Sequence, residues 1–315
     1  MLNFGIIGMN EGNGHPYSFS AIFNGYNEDA LEECPYEAIK KYLPNSHRNE
    51  VMIPDAQVSH IWTQDREMSE SVARISKIPN IVNEPEELIG KVDAIILARD
   101  DIQNHWKMAK PFLEKGIPVY IDKCLAHTME DLNRIINIVG NDYLIMSGSS
   151  SRFTSNIEKA KKDIVNIDGV RTIHGVSKVN WLRYGPHLLD GICYVFGADV
   201  ETVQNLGSKG FDIIHIRFKG GLNAVLQVIE DLSIPIEFTC YSNDRPGHYT
   251  VQFTDDDLSS YFVGFYRMLE AFTRMVQTGK QSIPFSTLVK TSRIIIAGEI
   301  SREENNRIVY LDEMK

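Results

Sequence analysis

Gly8, Gly12 and Gly14 crowd the run Gly8-Met9-Asn10-Glu11-Gly12-Asn13-Gly14-His15-Pro16, directly after the short apolar stretch Phe4–Ile7. Glycines let a backbone approach an anion closely, and the free N–H groups at the start of a following helix attract negative charge, which is the chemistry of diphosphate binding. Pro16 suits the first turn of such a helix. Asn10 adds an amide to the same run, and His15 adds a ring that either contacts a ligand or caps its own helix. The spacing is not G-x-G-x-x-G, and Glu11 puts a carboxylate where an anion should sit, so the run also reads as a tight glycine turn.

A second group of polar residues, Thr63-Gln64-Asp65-Arg66, closes the next strand-like run, Val58–Trp62. In a dinucleotide-binding domain this place contacts the adenosine ribose: an acid there favours NAD, and an arginine accepts the NADP phosphate. Asp65 and Arg66 point opposite ways, so both NAD and NADP stay open. Read alone, they are two solvated charges that begin a helix. Two further residues bear chemistry: Lys123, just past the apolar run Pro118–Ile121, and His187, within an apolar helical stretch. Without context, the first is a surface lysine and the second a core histidine with its hydrogen bonds satisfied.

The elements that must position these residues change character near residue 150. Before it, Phe4–Ile7, Val58–Trp62, Ala94–Leu97, Pro118–Ile121 and Leu144–Met146 alternate with helical patterns, the signature of a parallel sheet covered on both faces. Thr128–Val139 is the clearest helix, with capping-box-like spacing at Thr128 and Asp131 and Gly140 as its stop. A long connection, residues 27–57, carries Pro35, Pro44 and Pro54 and reads as a lid or a packing insert. After residue 150, Val170–Val179, Phe211–Phe218, Leu222–Glu230, Ile234–Tyr241 and Tyr249–Thr254 alternate with turns such as Asn243-Asp244-Arg245-Pro246-Gly247, which predicts a mostly antiparallel sheet. Helices over Asp257–Thr278 and Thr287–Glu304 and a last strand, Arg307–Leu311, follow. The fold class is therefore α/β: an N-terminal Rossmann domain over 1–148 and a C-terminal α+β domain with an open, mostly antiparallel sheet over 149–315.

Bulk composition excludes several classes. The 315 residues are 43% hydrophobic and 23% charged, ordinary for a globular protein of two domains. A formal charge of −10 and no basic run argue against a nucleic-acid partner. No apolar stretch approaches the roughly 20 residues a membrane helix needs, and no leader-like start is present, so a cytoplasmic location is expected. The four cysteines are widely spread and the nine histidines show no ligand spacing, so no metal is expected.

Taken in order, these motifs resemble the Gfo/Idh/MocA oxidoreductases over nearly the whole chain. Val92–Ala98 followed by Asn104-His105 is similar to that family's fourth strand and the turn after it, and Phe112–Ala126, with Asp122-Lys123-Cys124, to its "LEAGKHVLCEKPLA" segment. Arg152-Phe153 matches its Arg-Phe/Tyr pair, Gly185-Pro186-His187-Leu188-Leu189-Asp190 its "G-x-H-x-x-D" helix, and Thr278-Gly279-Lys280 with Ser301 to Leu311 its closing segment. The resemblance implies an NAD(P)-dependent dehydrogenase or reductase of a sugar, polyol or sugar derivative, working as a homodimer or homotetramer. It implies Lys123 beside the nicotinamide and His187 as acid/base, with Arg99 and His105 among the cofactor contacts and Arg152 and Tyr184 among the substrate contacts. Hydride leaves a carbinol carbon only as its O–H proton is removed, so a base and an ammonium are both useful there.

Three positions depart from the family pattern. Arg183 stands where an Asp is usual, and it either binds a substrate carboxylate or phosphate or pairs with an acid such as Asp190. Cys124 replaces the proline that makes a cis peptide easy. Glu11 lies within the glycine loop. The loss of the Asp leaves a second reading, a dinucleotide- or sugar-sensing regulatory protein of the same fold, and a third, a lyase that uses NAD transiently.

Overall fold

In the computed structural model, which describes residues 1–46, 52–140, 143–164, 169–243, 248–253 and 259–314, the chain forms two compact units. The first comprises residues 1–122, 134–147 and 257–285, the second residues 123–133, 148–256 and 286–315.

The apolar runs of the first half become parallel strands because their side chains are buried on both faces. They are β1 (Leu2–Ile7), β2 (Ala56–Trp62), β3 (Asn80–Ile81), β4 (Ala94–Leu97), β5 (Val119–Ile121) and β6 (Ile145–Ser147), in the order β3-β2-β1-β4-β5-β6. That order reverses between β1 and β4, the place where ligands of such sheets bind beyond the carboxyl ends of the strands. Helices α1 (His15–Asn24), α4 (Arg66–Ile75), α5 (His105–Leu113) and α6 (Met129–Val139) alternate with the strands. The expected Rossmann architecture is present. Only β3 escaped the sequence, since two residues carry no periodicity.

The connection between α1 and β2 holds two further helices, α2 (Glu28–Leu31) and α3 (Glu37–Ser46), with residues 47–51 outside the described ones. α3 lies against α9 (Ser259–Thr278), a helix distant in sequence whose apolar side completes the core of this unit. Its Phe272 ring centroid is 5.6 Å from that of Phe4 on β1, and Phe4 in turn meets Phe23 edge-on at 5.2 Å.

The second unit contains α7 (Ser155–Ile164), β7 (Thr172–Lys178), α8 (Trp181–Phe196), β8 (Val200–Asn205), β9 (Phe211–Phe218), β10 (Asn223–Ile229), β11 (Glu237–Tyr241), β12 (His248–Gln252) and β13 (Val309–Tyr310). Its seven-stranded sheet runs β12-β11-β7-β10-β9-β8-β13 and is antiparallel except for the pair β7 and β10. The predicted open, mostly antiparallel sheet is therefore found. β8 was not anticipated, because a register irregularity between Val200 and Thr202 breaks the alternation by which a strand is recognised. Residues 244–247 and 254–258, on which a turn and two element ends were placed, lie outside the described residues.

Within this unit, α8 sits close to the sheet because Gly175 on β7 has no side chain. A Cβ there would come 3.1 Å from Leu188. Trp181 fastens α8 to α10 (Phe285–Glu303) by donating from Nε1 to the Ile295 carbonyl at 2.9 Å. Beside this contact lies a buried polar group. Asp212 accepts from the Trp181 N–H at 3.2 Å, from Asn205 Nδ2 at 2.8 Å and from Arg302 Nη1 at 3.1 Å.

Arg302 also pairs with Glu299, whose Oε1 is buried with no partner among the described residues. Burial pushes the Glu299 carboxyl up from 4.5 to about 7, with Arg302 opposing the shift and Asp212 and Glu303 adding to it. A carboxyl that holds its proton more tightly when folded destabilises the fold as pH rises. The loss begins near the unfolded value and is complete above the folded one, here from about pH 4.5 to about pH 7. Its size is at most roughly 3 kcal/mol. Glu299→Gln should flatten the unfolding profile across that window, matching the parent at pH 5 and exceeding its melting temperature at pH 8. Parallel profiles for parent and variant would show that Glu299 does not titrate there.

Candidate active site

The first unit gathers most of the expected cofactor residues at the carboxyl edge of its sheet. Met9 donates its N–H to Gln64 Oε1 at 3.0 Å, and Arg99 Nη1 donates to the same oxygen and to the Met9 carbonyl, both at 3.0 Å. The other side of the Arg99 guanidinium forms a two-point pair with Asp101, 2.8 Å from Nε to Oδ1 and 2.6 Å from Nη2 to Oδ2. Asn104 donates to Asp101 as well, at 2.6 Å, and His105 Nε2 lies 2.8 Å from the Arg99 carbonyl. Burial opposes ionisation of Asp101, but the hydrogen bonds from Arg99 and Asn104 outweigh it and hold its carboxyl below the usual range. Arg99 and His105 thus fix the loops after β1, β2 and β4 to one another. Asn10 joins the network by donating to Asp100 at 2.6 Å and accepting its N–H at 3.1 Å.

The three glycines serve different ends. A Cβ on Gly8 would stand 2.4 Å from Pro16 Cγ, and one on Gly14 would stand 2.6 Å from Ile39 Cδ1 and 3.0 Å from the Tyr36 ring. Tyr36 also donates its hydroxyl to the Asn13 carbonyl at 3.2 Å, so the insert braces the glycine loop. Gly12 is exposed and has φ 74°, the left-handed region that glycine enters at no cost from a Cβ. Its N–H and that of Gly14 make no hydrogen bond to any described residue. Two such donors on glycines at the head of α1 fit one diphosphate.

The expected ribose position holds Thr63, Asp65 and Arg66. Asp65 is the N-cap of α4, its Oδ1 accepting from Glu67 and Met68, and Arg66 is tied to Glu70 and Asn83 on the surface. Thr63 is the residue that directly follows β2, and its hydroxyl meets Ser69 Oγ at 2.8 Å and the Asp65 carbonyl at 2.5 Å.

In the second unit, Lys123 is 2% exposed, so it is not a surface lysine. The peptide bond from Lys123 to Cys124 is cis although no proline follows, as is that from Gly8 to Met9. Burial pushes the Cys124 thiol up to about 11, leaving it protonated and unreactive at neutral pH. Arg183, Tyr184 and His187 share α8, which begins with Asn180 accepting the Arg183 N–H at 2.9 Å. The Tyr184 and His187 rings meet edge-on at 5.2 Å.

His187 Nδ1 is 2.6 Å from Ser149 Oγ, a partner that sequence reasoning missed. Its only signal was the serine-rich run Ser147–Ser151 after β6. Ser149 is held by its own N–H, donated to Asp190 Oδ2 at 2.9 Å, and its hydroxyl accepts the Ser151 N–H at 3.0 Å. Asp190 is buried and pairs through both oxygens with Arg152, which also lies 5.4 Å from the Tyr194 ring centre. The acid considered for Arg183 is therefore paired with Arg152. Gly148, at φ 126°, allows this approach, since a Cβ there would be 2.9 Å from Asp190 Oδ2.

Residues 37–146 match the family described as an oxidoreductase family with an NAD-binding Rossmann fold, GFO_IDH_MocA. That similarity lies within the Rossmann domain and covers residues 37–146 of it. The whole chain, moreover, is similar in fold to solved dehydrogenases and oxidoreductases. A probable dehydrogenase from Thermotoga maritima shares 18% identity and a TM-score of 0.75 over 100% of both chains. An oxidoreductase from Agrobacterium radiobacter, solved with NAD+, L-tartaric acid and magnesium, shares 14% identity and a TM-score of 0.75 over 100% of this chain and 99% of that one. A myo-inositol dehydrogenase from Lactobacillus casei, solved with NAD(H) and myo-inositol, shares 12% and 0.75 over 98% and 96%. Identities this low establish the fold alone. No curated protein matches the sequence. Among the described residues, no helix is long and apolar enough to cross a membrane, and no cluster of His, Cys, Asp and Glu could hold a metal ion.

Proposed function

We propose that this protein is an NAD(P)-dependent oxidoreductase acting on a carbinol or ketone carbon of a sugar, polyol or sugar derivative, with Lys123 and His187 as its catalytic residues. The burial of Lys123 is the observation that carries this reading. Lysine is rarely buried, and this one lies in the segment where the resemblance places the substrate-orienting lysine. Residues 1–148 would hold the cofactor, and residues 149–315 would supply the substrate groups and the contacts of a homo-oligomer.

The nicotinamide, when bound, supplies a two-electron hydride acceptor or donor at C4. The Gly12 and Gly14 N–H groups would hold the diphosphate, with Asn10 and Thr63 beside them. Lys123 holds the substrate oxygen and stabilises the negative charge that grows on it as its proton leaves. His187 takes that proton. Because the Ser149 hydroxyl can donate to Nδ1 or accept from it, the ring is supported in either tautomer, as a reversible relay requires. Arg183 and Tyr184, on the same helix, would be substrate contacts, and the planar fork of Arg183 suits a carboxylate or phosphate on the sugar derivative.

Arg183 in place of an acid also supports a second reading, a sensor that binds the dinucleotide or a sugar without turnover. A fluorescence titration of the cofactor-stripped protein with NADH and with NADPH tests both. Saturable binding of one supports the dinucleotide reading and assigns the cofactor. No binding of either up to millimolar concentration would overturn it. Turnover in a screen of sugars and polyols then separates enzyme from sensor.

A further inference from the structure

We propose that the pocket which Arg293 of α10 lines together with the ends of β8, β9 and β13 is a binding site for a small aliphatic carboxylate. The site uses none of the residues assigned above to cofactor or substrate and does not depend on the dinucleotide reading.

Sheet topology builds this pocket. β8 lies between β9 and β13 at one edge of the sheet. Antiparallel pairing sets Val200, at the start of β8, against Phe218, at the end of β9, and Tyr310 of β13 against Thr202. The residues just outside these ends, Asp199, Lys219 and Asp312, are thereby brought together, and the Lys219 N–H donates to the Asp199 carbonyl at 2.8 Å. Lys290 and Arg293, one turn apart on α10, line the same pocket. Its volume is about 100 Å³, several times the space a single water needs. Val200, Ile294 and Leu311 add buried apolar side chains to its wall.

The charges of the pocket are unequal. Lys219 pairs with Asp312 at 3.4 Å and Lys290 pairs with Asp199. The hydrogen bond from Lys290 holds the Asp199 carboxyl below the usual range, so it is charged at neutral pH. Arg293 has no counterpart: its side chain makes no ion pair or hydrogen bond to any described residue, although its Nε is buried. A guanidinium keeps its charge at every physiological pH, and buried donors are normally satisfied, so this N–H marks a place for an acceptor. Three cations and two carboxylates leave the pocket one positive charge in excess, within a chain of formal charge −10. One carboxylate ion neutralises that charge, and its two oxygens match the paired donors of the guanidinium edge. A phosphate monoester, with nearly two negative charges at neutral pH, would meet Asp199 and Asp312 with charge to spare. The two ammonium groups sit in exposed pairs that hold them loosely, and each has three N–H donors, so both can turn one toward the ligand without leaving its aspartate. A short apolar tail would rest on Val200, Ile294 and Leu311.

The test is calorimetric titration of the whole protein with sodium propionate, referenced to sodium chloride of equal ionic strength. Propionamide serves as the neutral counterpart and inorganic phosphate as the more highly charged one. The parent should bind propionate saturably, phosphate more weakly and propionamide not at all. Arg293→Met keeps an apolar stem and removes the donor fork. It should raise the Kd for propionate at least about tenfold, the loss of a hydrogen bond to a charged group, with Arg293→Lys between the two. Because Arg293 has no partner to lose when the pocket is empty, the methionine variant in chloride should melt no lower than the parent. Arg183→Gln, which alters the other arginine suited to a carboxylate, should bind propionate as the parent does. The inference is overturned by no saturable propionate binding up to about 100 mM, by propionamide or phosphate binding as tightly as propionate, or by a folded Arg293→Met variant with the parent's affinity. Loss of binding in Arg183→Gln, or a methionine variant that melts well below the parent in chloride, overturns it equally.

Discussion

Asp190→Ala should lower the stability of the second unit by about 3–5 kcal/mol, the usual cost of leaving one partner of a buried ion pair uncompensated. Arg152 would keep its charge in a site where it is 7% exposed, and the Ser149 N–H would lose its acceptor. Urea unfolding followed by circular dichroism reads the effect as a lower midpoint with little change in slope. Asp190→Asn, which keeps an acceptor but not the charge, should fall between parent and alanine variant. An alanine variant unfolding at the parent's midpoint would mean that Arg152 finds another partner at no cost. Because Ser149 holds His187 Nδ1, Asp190 is also a positioning residue. In the asparagine variant, the pH profile of turnover should shift even where the fold survives.

The second large effect concerns Lys123. Lys123→Ala should reduce kcat/KM by roughly 10²–10³-fold, the range observed when one group that stabilises a developing oxyanion is removed. Alanine also opens a cavity, so Lys123→Met is the informative companion: it keeps an apolar stem of similar length and removes the ammonium. Equal losses in the two variants, mainly in kcat, would assign the effect to the charge. Full activity of either variant on any sugar or polyol that the parent turns over would sink the mechanism.

The parallel sheet was legible because most of its strands are short, largely apolar runs, and the Rossmann order follows from where those runs fall between helices. Helix α9 was legible as a helix from Phe265, Leu269 and Phe272 on one side, but nothing in that pattern says that it completes the core around Phe4. Partner choice over long sequence separation is decided by shape and burial, which periodicity does not record. The site shows the same division. Lys123 and His187 stood out because residue type and motif order drew attention to them. Ser149 did not, since a serine among serines becomes distinctive only when Asp190 draws its N–H and aims its hydroxyl at a ring. Asp65 stays open between two roles for a related reason. An acid after a strand serves a ribose or caps a helix equally well by sequence, and here its oxygen accepts from two N–H groups of α4.

The contact of Tyr36 and Ile39 with Gly14 bears on any attempt to re-engineer cofactor choice. The conformation of the glycine loop is shared with the insert, whose tyrosine reaches the Asn13 carbonyl and whose isoleucine fills the space a Gly14 side chain would need. Residues 8–16 and 36–46 therefore form one cassette, to be transplanted together or left alone.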